Sequence, residues 1–402
     1  MSFCLPYLRL YRRHLSAYTD LCQRHFHLEQ IRSLKVTPAL PLVRTATTKA
    51  AKHEVIVSQS TCIFENLSLE EWLFENTDFE NTSYLLIWRN TETVVIGRHQ
   101  NAWIEANVPL LEQKGVSIAR RNSGGGTVYH DLGNINFCFL TSRERYNRKW
   151  NLNLVTEAVN DQWMLNLSVN ARDNIMWNDM FKVSGTAARL KSKCAYHHFT
   201  LLLDVNLNNL QSFLQSPLLG ASSRATASIP SSVINLLDVE PQLTYDNVIQ
   251  CVAQRFLSFS HNSQPTSIEF LDLKKDRSRF PGLDKILEDR LDWTWIFGKT
   301  PAFTLDRHFV THCYQSRETC LRIHCKIQDG CINTLDIQFS PLDQTLDRLT
   351  TSTNNVLLTE RLSGKHLRPV FERLRQDFSE DKEVSPHLLD WFLNSLWVTL
   401  FG

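Results

Sequence analysis

The sequence lacks any long run of apolar residues, and it lacks an excess of charge of either sign. No stretch of about 18 consecutive apolar residues occurs in its 402 residues, so no membrane-spanning helix is predicted. Lysine and arginine (43) nearly balance aspartate and glutamate (42), and the formal charge of +1 carries no electrostatic signature of nucleic-acid binding. Thirteen glycines and thirteen prolines are too few for a fibrous or low-complexity chain. We therefore expect a globular protein whose partners are neither a membrane nor a nucleic acid.

The ten cysteines lack the close spacing that a metal site or a disulfide framework needs. Cys313, Cys320, Cys325 and Cys331 cluster in the sequence, but they contain no CxxC pair of the kind that zinc ribbons and fingers normally require. A long chain without a secretory signal is also not typical of disulfide-rich secreted domains. The sequence therefore predicts reduced thiols and no metal site.

Acidic residues are scarce in the first 52 positions. Nine lysines and arginines stand there against two acids, Asp20 and Glu29, and serine and threonine are frequent. A basic, hydroxyl-rich and acid-poor segment is typical of a mitochondrial transit peptide, although a disordered basic tail has the same composition. We interpret residues 1–53 as a leader and expect the protein in the mitochondrial matrix.

The rest of the chain carries the hydrophobic patterns of both helices and strands. Apolar spacing predicts helices at 63–76, 109–114, 152–165 and 283–290, with Pro109 suited to a first turn and Gly115 to a helix end. Strands are predicted at 54–58, 84–88, 93–97, 116–120, 126–130, 135–140, 181–187, 198–205 and 293–301.

Several of these strands are separated by turns that are too short for helical crossovers, and 84–88 with 93–97 has the spacing of a hairpin. The pattern favours an α+β fold with mixed, largely antiparallel sheets and helices packed on them. We expect a catalytic domain at 54–300 and a smaller α+β domain at 301–402.

The strongest local signal is a run of three glycines, Gly124 to Gly126, between two strand-like segments. Glycines let main-chain N–H groups approach a ligand, and successive N–H groups in such a turn form an anion site. Arg121 adds a permanent charge and a planar fork that suits phosphate or carboxylate. The run is neither a P-loop nor a dinucleotide fingerprint, and a tight turn without a ligand is the alternative.

A second signal is Lys182, which lies between apolar neighbours on a predicted strand. The small residues Ser184, Gly185 and Ala187 follow it and leave room for a ligand, although a lysine at the exposed edge of a sheet is the commoner case. His197 and His198 are adjacent on a strand and must point to opposite faces, so they cannot jointly bind one metal ion.

These motifs resemble, in order, those of the lipoate–protein ligase and lipoyltransferase family, and the likeness is greatest to the mitochondrial lipoyltransferases of vertebrates. The matching segments are 88–98, 121–134, 182–187, 197–202, 225–231 and 293–303. The resemblance extends from about residue 54 to about residue 301 and is weaker in the C-terminal region. It implies a catalytic domain similar to that of the biotin–protein ligases, followed by a small C-terminal domain.

The resemblance also implies a substrate, a site and partners. The expected substrate is lipoyl-AMP, with no tightly bound cofactor. Lys182 would be the catalytic residue, contacting the acyl carbonyl and the phosphate. The expected lipoyl-AMP-binding residues are Arg121, Gly126, Thr127, Val128, Tyr129, Arg172, Lys182, Thr200, Thr226 and Ala227. The expected acceptors are the lipoyl domains of 2-oxo-acid dehydrogenase acyltransferase components and the glycine-cleavage H protein, and a monomer is expected.

Two departures from the family pattern bear on the activity. Bacterial ligases carry arginine where this chain has Pro230, and they read Arg-Asn-Asp where this chain has Arg172-Asp173-Asn174. Fewer phosphate-directed charges suit a transferase that receives lipoyl-AMP, or a lipoyl group from a carrier such as H protein. A complete ligase that uses ATP and magnesium is the nearest alternative.

Two further alternatives stay open. An acyltransferase that works through a cysteine thioester would need an activated thiolate, for which Cys138 and Cys194 are the candidates. An inactive module that only binds an adenylate or docks a carrier is the other.

Overall fold

The computed structural model describes residues 51–260, 267–314, 317–381 and 383–402. The predicted leader lies outside the described residues except for its last three positions. From residue 51 to residue 402, the described residues form one compact unit. The first strand begins at Lys52, two residues before the expected start of the catalytic domain. No helix in these described ranges is long and apolar enough to cross a membrane.

The strands of the described ranges are numbered in chain order. They are β1 (Lys52–Ser58), β2 (Thr82–Trp88), β3 (Thr93–Ile96), β4 (Ser117–Arg120), β5 (Val128–His130), β6 (Asn134–Ser142), β7 (Leu167–Val169), β8 (Ile175–Trp177), β9 (Phe181–Lys182), β10 (Thr186–Leu190), β11 (Cys194–Leu202), β12 (Ala221–Ser223), β13 (Ile268–Leu271), β14 (Phe303–Tyr314), β15 (Arg317–Gln328) and β16 (Cys331–Ser340).

The helices are numbered in the same way. They are α1 (Ile63–Asn76), α2 (Ala102–Glu105), α3 (Val108–Lys114), α4 (Arg148–Trp163), α5 (Leu207–Phe213), α6 (Tyr245–Leu257), α7 (Leu283–Leu291), α8 (Gln344–Leu357), α9 (Gly364–Ser379) and α10 (Pro386–Phe401). Short 3₁₀ turns lie at Leu236–Asp238 and Arg277–Arg279, and a π-helical turn lies at Thr294–Gly298.

The strands form four sheets. The largest has the order β10-β11-β6-β2-β1-β13, in which β1 runs parallel to β2 and β13 while the other neighbours are antiparallel. A small sheet, β4-β3-β5, combines one parallel and one antiparallel pair, and β7-β8-β9 is wholly antiparallel. The fourth sheet, β12-β14-β15-β16, is also antiparallel. The predicted α+β fold with mixed, largely antiparallel sheets is confirmed.

Local signals predicted several element ends well. Helix α1 has the predicted bounds, and its buried side chains Leu67, Leu69 and Leu73 face the sheets. Helix α3 has Pro109 in its first turn and ends at Gly115, whose φ of 69° is in the left-handed region that glycine favours. Asn107 caps this helix by accepting from the N–H of Leu110.

The predicted hairpin of 84–88 with 93–97 is wrong, because the two strands belong to different sheets. β2 pairs with β1 and β6, whereas β3 pairs with β4 and β5. The predicted strand at 181–187 is likewise divided, since β9 and β10 lie in separate sheets. In both cases the chain leaves one sheet to enter another, so that two layers face each other across a space.

The predicted strand at 293–301 is also wrong, because this segment begins with a helical turn. Asp292 caps the turn by accepting from the N–H of Thr294 at 2.7 Å. Trp293 and Phe297 stack four residues apart with ring centroids 5.8 Å from each other, which is helical spacing. The alternating aromatic residues predicted a strand, but in the structure Trp293 and Phe297 lie on one side of a helical turn.

The C-terminal region packs against the preceding one through a shared core. Strand β12, which precedes the region, forms the edge of its sheet by pairing with β14. Trp103 of α2 contacts Phe303 with ring centroids 5.7 Å apart, and Ser363 donates to Glu112 of α3 at 3.3 Å. The two regions therefore support one another within one compact unit.

Candidate active site

A cavity of about 370 Å³ brings together the motifs that the sequence singled out. Its volume is in the range of small-molecule sites. Its wall is built by β2, β3, β5, β9, β10, β11, the glycine run and the segment 226–231. Nine of the ten predicted binding residues line it: Arg121, Gly126, Thr127, Val128, Arg172, Lys182, Thr200, Thr226 and Ala227.

Arg121 holds the glycine run in shape. Its Nη2 donates to the carbonyl oxygens of Gly124 (2.7 Å) and Gly126 (2.6 Å). Its Nη1 donates to the carbonyl of Val95 (3.1 Å), and its Nε donates to Ser123 Oγ (3.0 Å). Burial lowers the pKa of Arg121 to about 10, so the group stays charged at neutral pH. The planar fork that the sequence suggested for a phosphate is therefore occupied by the protein's own carbonyls.

The glycine run has the conformation that the sequence predicted. Gly125 has φ +85°, which favours glycine, and a Cβ at Gly97 would lie 2.3 Å from the Gly125 carbonyl oxygen. Among the described residues, the N–H groups of Gly124, Gly125 and Gly126 have no hydrogen-bond partner. Arg121 binds the carbonyls and thereby leaves these N–H groups available to an anion.

The segment 226–231 is fixed to the glycine run by Ser228. Ser228 Oγ accepts from the N–H of Thr127 (2.8 Å) and from Gln100 Nε2 (3.1 Å), and it donates to a carboxylate oxygen of Glu105. Gln100 Oε1 in turn accepts from Thr127 Oγ1 at 2.8 Å. Ser228 lies within the matching segment 225–231, but no local pattern in the sequence pointed to Gln100 or Glu105, because these residues join segments that are distant in the chain.

Lys182 is half-buried in the cavity wall and has no counter-ion. Its main chain is fixed, since its N–H donates to the carbonyl of Ser232 at 3.0 Å. Its Nζ has neither a hydrogen bond nor an ion pair with any residue that the structure describes, and burial lowers its pKa. Arg172 is exposed, lines the same cavity, and its guanidinium also has no partner in the described ranges.

The charge of the cavity wall is therefore of one sign. Three cations, Arg121, Arg172 and Lys182, line it, and no aspartate or glutamate is among the lining residues that the structure describes. An unpaired ammonium in a partly buried wall favours an anionic ligand, since an anion would offset its desolvation.

Thr200 and Val128 shape the passage behind the glycine run. Thr200 Oγ1 accepts from the N–H of Gly185 at 2.7 Å, and the N–H of Thr200 donates back to the Gly185 carbonyl at 2.9 Å. A Cβ at Gly185 would lie 3.2 Å from Val128 Cγ1. The absence of a side chain at Gly185 thus keeps this passage open.

Tyr129 is the one predicted binding residue that does not line the cavity. Its side chain is buried on the opposite face of β5, where the hydroxyl donates to Glu92 (3.0 Å) and the ring lies 5.6 Å from that of Phe213. Alternation along a strand explains the placement, because Val128 and His130 on either side of it face the cavity. The side chain of Tyr129 therefore packs in the core and does not line the cavity.

A buried hydrogen-bonded chain supports the site from behind. His198 hydrogen-bonds to Glu70 through Nδ1 (2.6 Å) and to Ser123 through Nε2 (2.8 Å), and Ser123 accepts from Arg121. Glu70, Cys138 and His198 lie close enough to share an ion, but both ring nitrogens of His198 already have protein partners. His197 points to the other face and bonds Thr186 (2.6 Å), as the alternation predicted.

The two cysteines considered as nucleophiles are placed unfavourably. Burial raises the pKa of Cys138 well above its usual value and also raises that of Cys194. Neither residue is among those lining the cavity. A thiolate is therefore disfavoured at both positions, which argues against a thioester mechanism.

Comparison with known proteins identifies a family for this chain. Residues 62–257 match the family model described as the lipoyl protein ligase A/B catalytic domain. The chain is 37% identical to the mitochondrial lipoyl amidotransferase LIPT1 of Mus musculus over 71% of its own length and 75% of that protein. It is 34% identical to the lipoate-protein ligase A of Blochmanniella floridana over 67% of its length and 77% of that protein.

The fold and these relatives define an α+β enzyme of the acyltransferase class. The chain belongs to the lipoyl protein ligase A/B family. A solved structure of P. falciparum LipL1 in complex with lipoate covers 85% of this chain and 99% of its own, with 26% identity and a TM-score of 0.54. The resemblance that the sequence motifs indicated is confirmed.

Proposed function

We propose that this chain is a lipoyltransferase that moves a lipoyl group from lipoyl-AMP to the ε-amine of a lysine on a carrier domain. The observation that carries the proposal is the composition of the cavity wall. Unpaired cations and free main-chain N–H groups line the cavity together with apolar side chains, and no carboxylate is among the lining residues that the structure describes. An acyl adenylate has the same two parts, an apolar chain and an anionic phosphate.

The reaction needs little from the protein beyond binding and charge. The lipoyl carbonyl of the mixed anhydride is already activated, so no covalent nucleophile is required. The amine nitrogen attacks the carbonyl carbon, the carbon–oxygen bond to the phosphate breaks, and AMP leaves with that electron pair. The attacking amine loses one proton to solvent, which yields a neutral amide.

Lys182 is the group that we assign to this step. A cation near the acyl phosphate stabilises both the oxyanion of the tetrahedral intermediate and the negative charge on the departing phosphate. Lys182 suits the role because its ammonium is partly desolvated and has no competing partner among the described residues. Arg172 at the exposed rim would contact the AMP phosphate or ribose, and Thr226 and Ala227 would contact the adenylate.

The relatives supply the biological setting of the proposal. Because the chain is similar to mitochondrial lipoyl amidotransferases, we infer that it acts in mitochondria. A location in the matrix and a monomeric state, which the sequence led us to expect, remain part of the proposal. Its acceptors would be lipoyl domains of 2-oxo-acid dehydrogenase complexes, with lipoylated H protein as an alternative donor. Residues 54–300 would carry the reaction, and residues 301–402 would form an accessory domain.

A transferase is preferred to a complete ligase because few charges are available for the phosphates of ATP. In the cavity wall only Lys182 and Arg172 are uncommitted cations among the described residues, since Arg121 is bound to carbonyls. Pro230 stands next to this wall in place of a further arginine.

The test is to incubate the full-length chain with an apo lipoyl domain and to follow the mass of that domain. Parallel reactions receive lipoyl-AMP, lipoylated H protein, or lipoate with ATP and magnesium. Modification from lipoyl-AMP or H protein, but not from lipoate and ATP, is the expected result. Modification in the ATP reaction would instead show a complete ligase, and no modification in any reaction would refute catalysis of lipoyl transfer.

A further inference from the structure

The apolar part of the cavity wall contains two buried ring nitrogens without partners. Leu67, Trp88 and Val95 belong to this part, and Val95 lies opposite Val128 because these residues pair between β3 and β5. His130 Nε2 and Trp88 Nε1 are both shielded from solvent, and neither has a hydrogen-bond partner in the described structure. Buried polar groups are normally paired, so two unpaired ring nitrogens on residues that line one cavity point to a ligand.

The position of His130 follows from strand geometry. Val128 lies beside Gly185 in the passage behind the glycine run, and His130 is two residues further along the same face of β5. Two residues of a strand span roughly 6–7 Å, so His130 lies that much deeper than Val128. An acyl chain that enters from the glycine run would reach His130 with its far end.

A chain of amide groups sets which ring nitrogen of His130 carries the proton. Asn66 Nδ2 donates to the main-chain carbonyl of Ser60 (2.9 Å), which fixes the orientation of the Asn66 amide. The same Nδ2 donates to Asn90 Oδ1 (2.9 Å), so Asn90 must turn its Nδ2 toward His130 Nδ1 (3.0 Å). Nδ1 of His130 therefore accepts, and the proton lies on Nε2.

The ring is neutral, so this donor is a single N–H. Burial, assisted by the nearby charge of Arg121, lowers the pKa of His130 to about 3. His130 is 4% exposed, and Asn66 and Asn90 are fully buried, so water does not compete for these groups. The amide chain is thus a fixed scaffold that presents one N–H donor at the deep end.

We propose that His130 Nε2–H and Trp88 Nε1–H select a lipoyl chain over an octanoyl chain. The two chains have the same carbon backbone, but only the lipoyl chain ends in a ring whose sulfur atoms accept hydrogen bonds, weakly. An octanoyl chain leaves the donors unpaired, and a lipoyl chain pairs them. This inference rests on the proposed function, and it names a specificity-determining residue that does not take part in bond formation.

The test measures kcat/KM for modification of an apo lipoyl domain, with lipoyl-AMP and octanoyl-AMP in separate reactions. His130→Phe keeps a ring and removes the donor, and it should lower the lipoyl-to-octanoyl ratio roughly fivefold. His130→Gln places an amide N–H near the same point and should restore most of the ratio. His308→Phe, at an exposed histidine of β14, is the matched control and should leave the ratio unchanged.

If His130 had a purely structural role, His130→Phe would lower both kcat/KM values by the same factor and leave their ratio unchanged. That result, obtained while the wild-type chain transfers the lipoyl group, would overturn the proposal. No transfer of either chain by the wild-type protein would instead refute the proposed function, and this inference with it. The two failures are therefore distinguishable.

If His130→Phe does not fold, nitrogen NMR of the wild-type protein decides the matter. The spectra should show the Nε2–H tautomer, and the Nε2 signal should move on binding of an unreactive lipoyl-adenylate analogue but not of its octanoyl counterpart. The opposite tautomer, or equal shifts with both analogues, would refute the proposal.

Discussion

Arg121 and Lys182 line the same cavity, and the sequence suggested a role at the ligand's phosphate for both. The structure separates them. The Arg121 guanidinium donates four hydrogen bonds, to Val95, Ser123 and two glycine carbonyls, whereas Lys182 Nζ has no partner among the described residues. The first cation shapes the site, and the second is left free for the ligand.

The contrast between Arg121 and Lys182 indicates how a glycine loop can bind an anion without an arginine that contacts the anion. By holding the carbonyls of Gly124 and Gly126, Arg121 leaves the N–H groups of the run without internal partners. The arginine therefore acts through the loop and is a positioning residue. The neighbouring Arg120 has a related role, because it donates to the carbonyls of Gly97, Gln100 and Ile296 at 2.8–3.1 Å.

The largest effect is expected when the free cation is removed. Lys182→Met keeps the aliphatic stem and deletes the ammonium, and it should lower the rate of transfer from lipoyl-AMP about a hundredfold to a thousandfold. Its free energy of unfolding should not fall, because a desolvated ammonium without a partner does not stabilise the fold. Single-turnover transfer and thermal unfolding measure the two quantities. Lys193→Met, at an exposed lysine, is the control, and near-normal transfer by Lys182→Met would reject its catalytic role.

Arg121→Ala should, unlike Lys182→Met, lower the stability of the fold. Loss of the guanidinium leaves buried carbonyls without donors, and the free energy of unfolding should fall by about 3 kcal/mol. Transfer should fall as well, because the glycine run loses its shape. Denaturant unfolding measures the change, and Arg143→Ala at an exposed site should stay within about 0.5 kcal/mol of the wild type. If Arg121→Ala were as stable as the wild type, Arg121 would not have the structural role that distinguishes it from Lys182.

The pH dependence of transfer tests the role of the Lys182 charge separately from that of Arg121. Burial holds the pKa of Lys182 below the usual value of a lysine, so its charge is lost as the pH rises through that lowered pKa. The kcat/KM for lipoyl-AMP should therefore decline at a lower pH than an ordinary lysine would cause. In Lys182→Arg the decline should move to higher pH, since arginine stays protonated. Identical alkaline limits in both proteins would show that another group causes the decline.

The smallest effect is expected at the rim. Arg172 is exposed, so its attraction for the adenylate is screened by solvent, and Arg172→Ala should weaken binding of lipoyl-AMP roughly twofold to fivefold. The loss should diminish further at high salt. KM values at two ionic strengths test this, with Arg373→Ala on the exposed face of α9 as the control. A hundredfold loss would mean that Arg172, and not Lys182, is the principal cation.

Local sequence signals predicted the elements better than their pairing. Helix α1 and the glycine end of α3 follow from periodicity and capping, which are properties of neighbouring residues. The partners of β2 and β3 do not, because each pairs with strands far away in the chain. The hydrogen bond from the N–H of Thr294 to Asp292 is a local signal for a turn. The strand prediction at 293–301 missed it because it relied on the alternating aromatic residues that follow.

The candidate site shows the same division. Lys182, Thr200 and Val128, which the motif resemblance named as site residues, line one cavity. It could not show that Arg121 is committed to carbonyls, or that Tyr129 turns to the core, since both facts depend on which face a side chain takes. His130 was within the same motif, but its fixed tautomer arises from Asn66 and Asn90, which no spacing connects to it.

The most direct test of the account is a crystal structure of the full chain with an unreactive lipoyl-adenylate analogue. We predict that the phosphate mimic lies within hydrogen-bond distance of Lys182 Nζ and the glycine N–H groups, and that the dithiolane ring lies beside His130. Arg121 should keep its bonds to the glycine carbonyls. An analogue bound instead in the open groove near Arg89 and Lys114, with Lys182 untouched, would contradict the central claim.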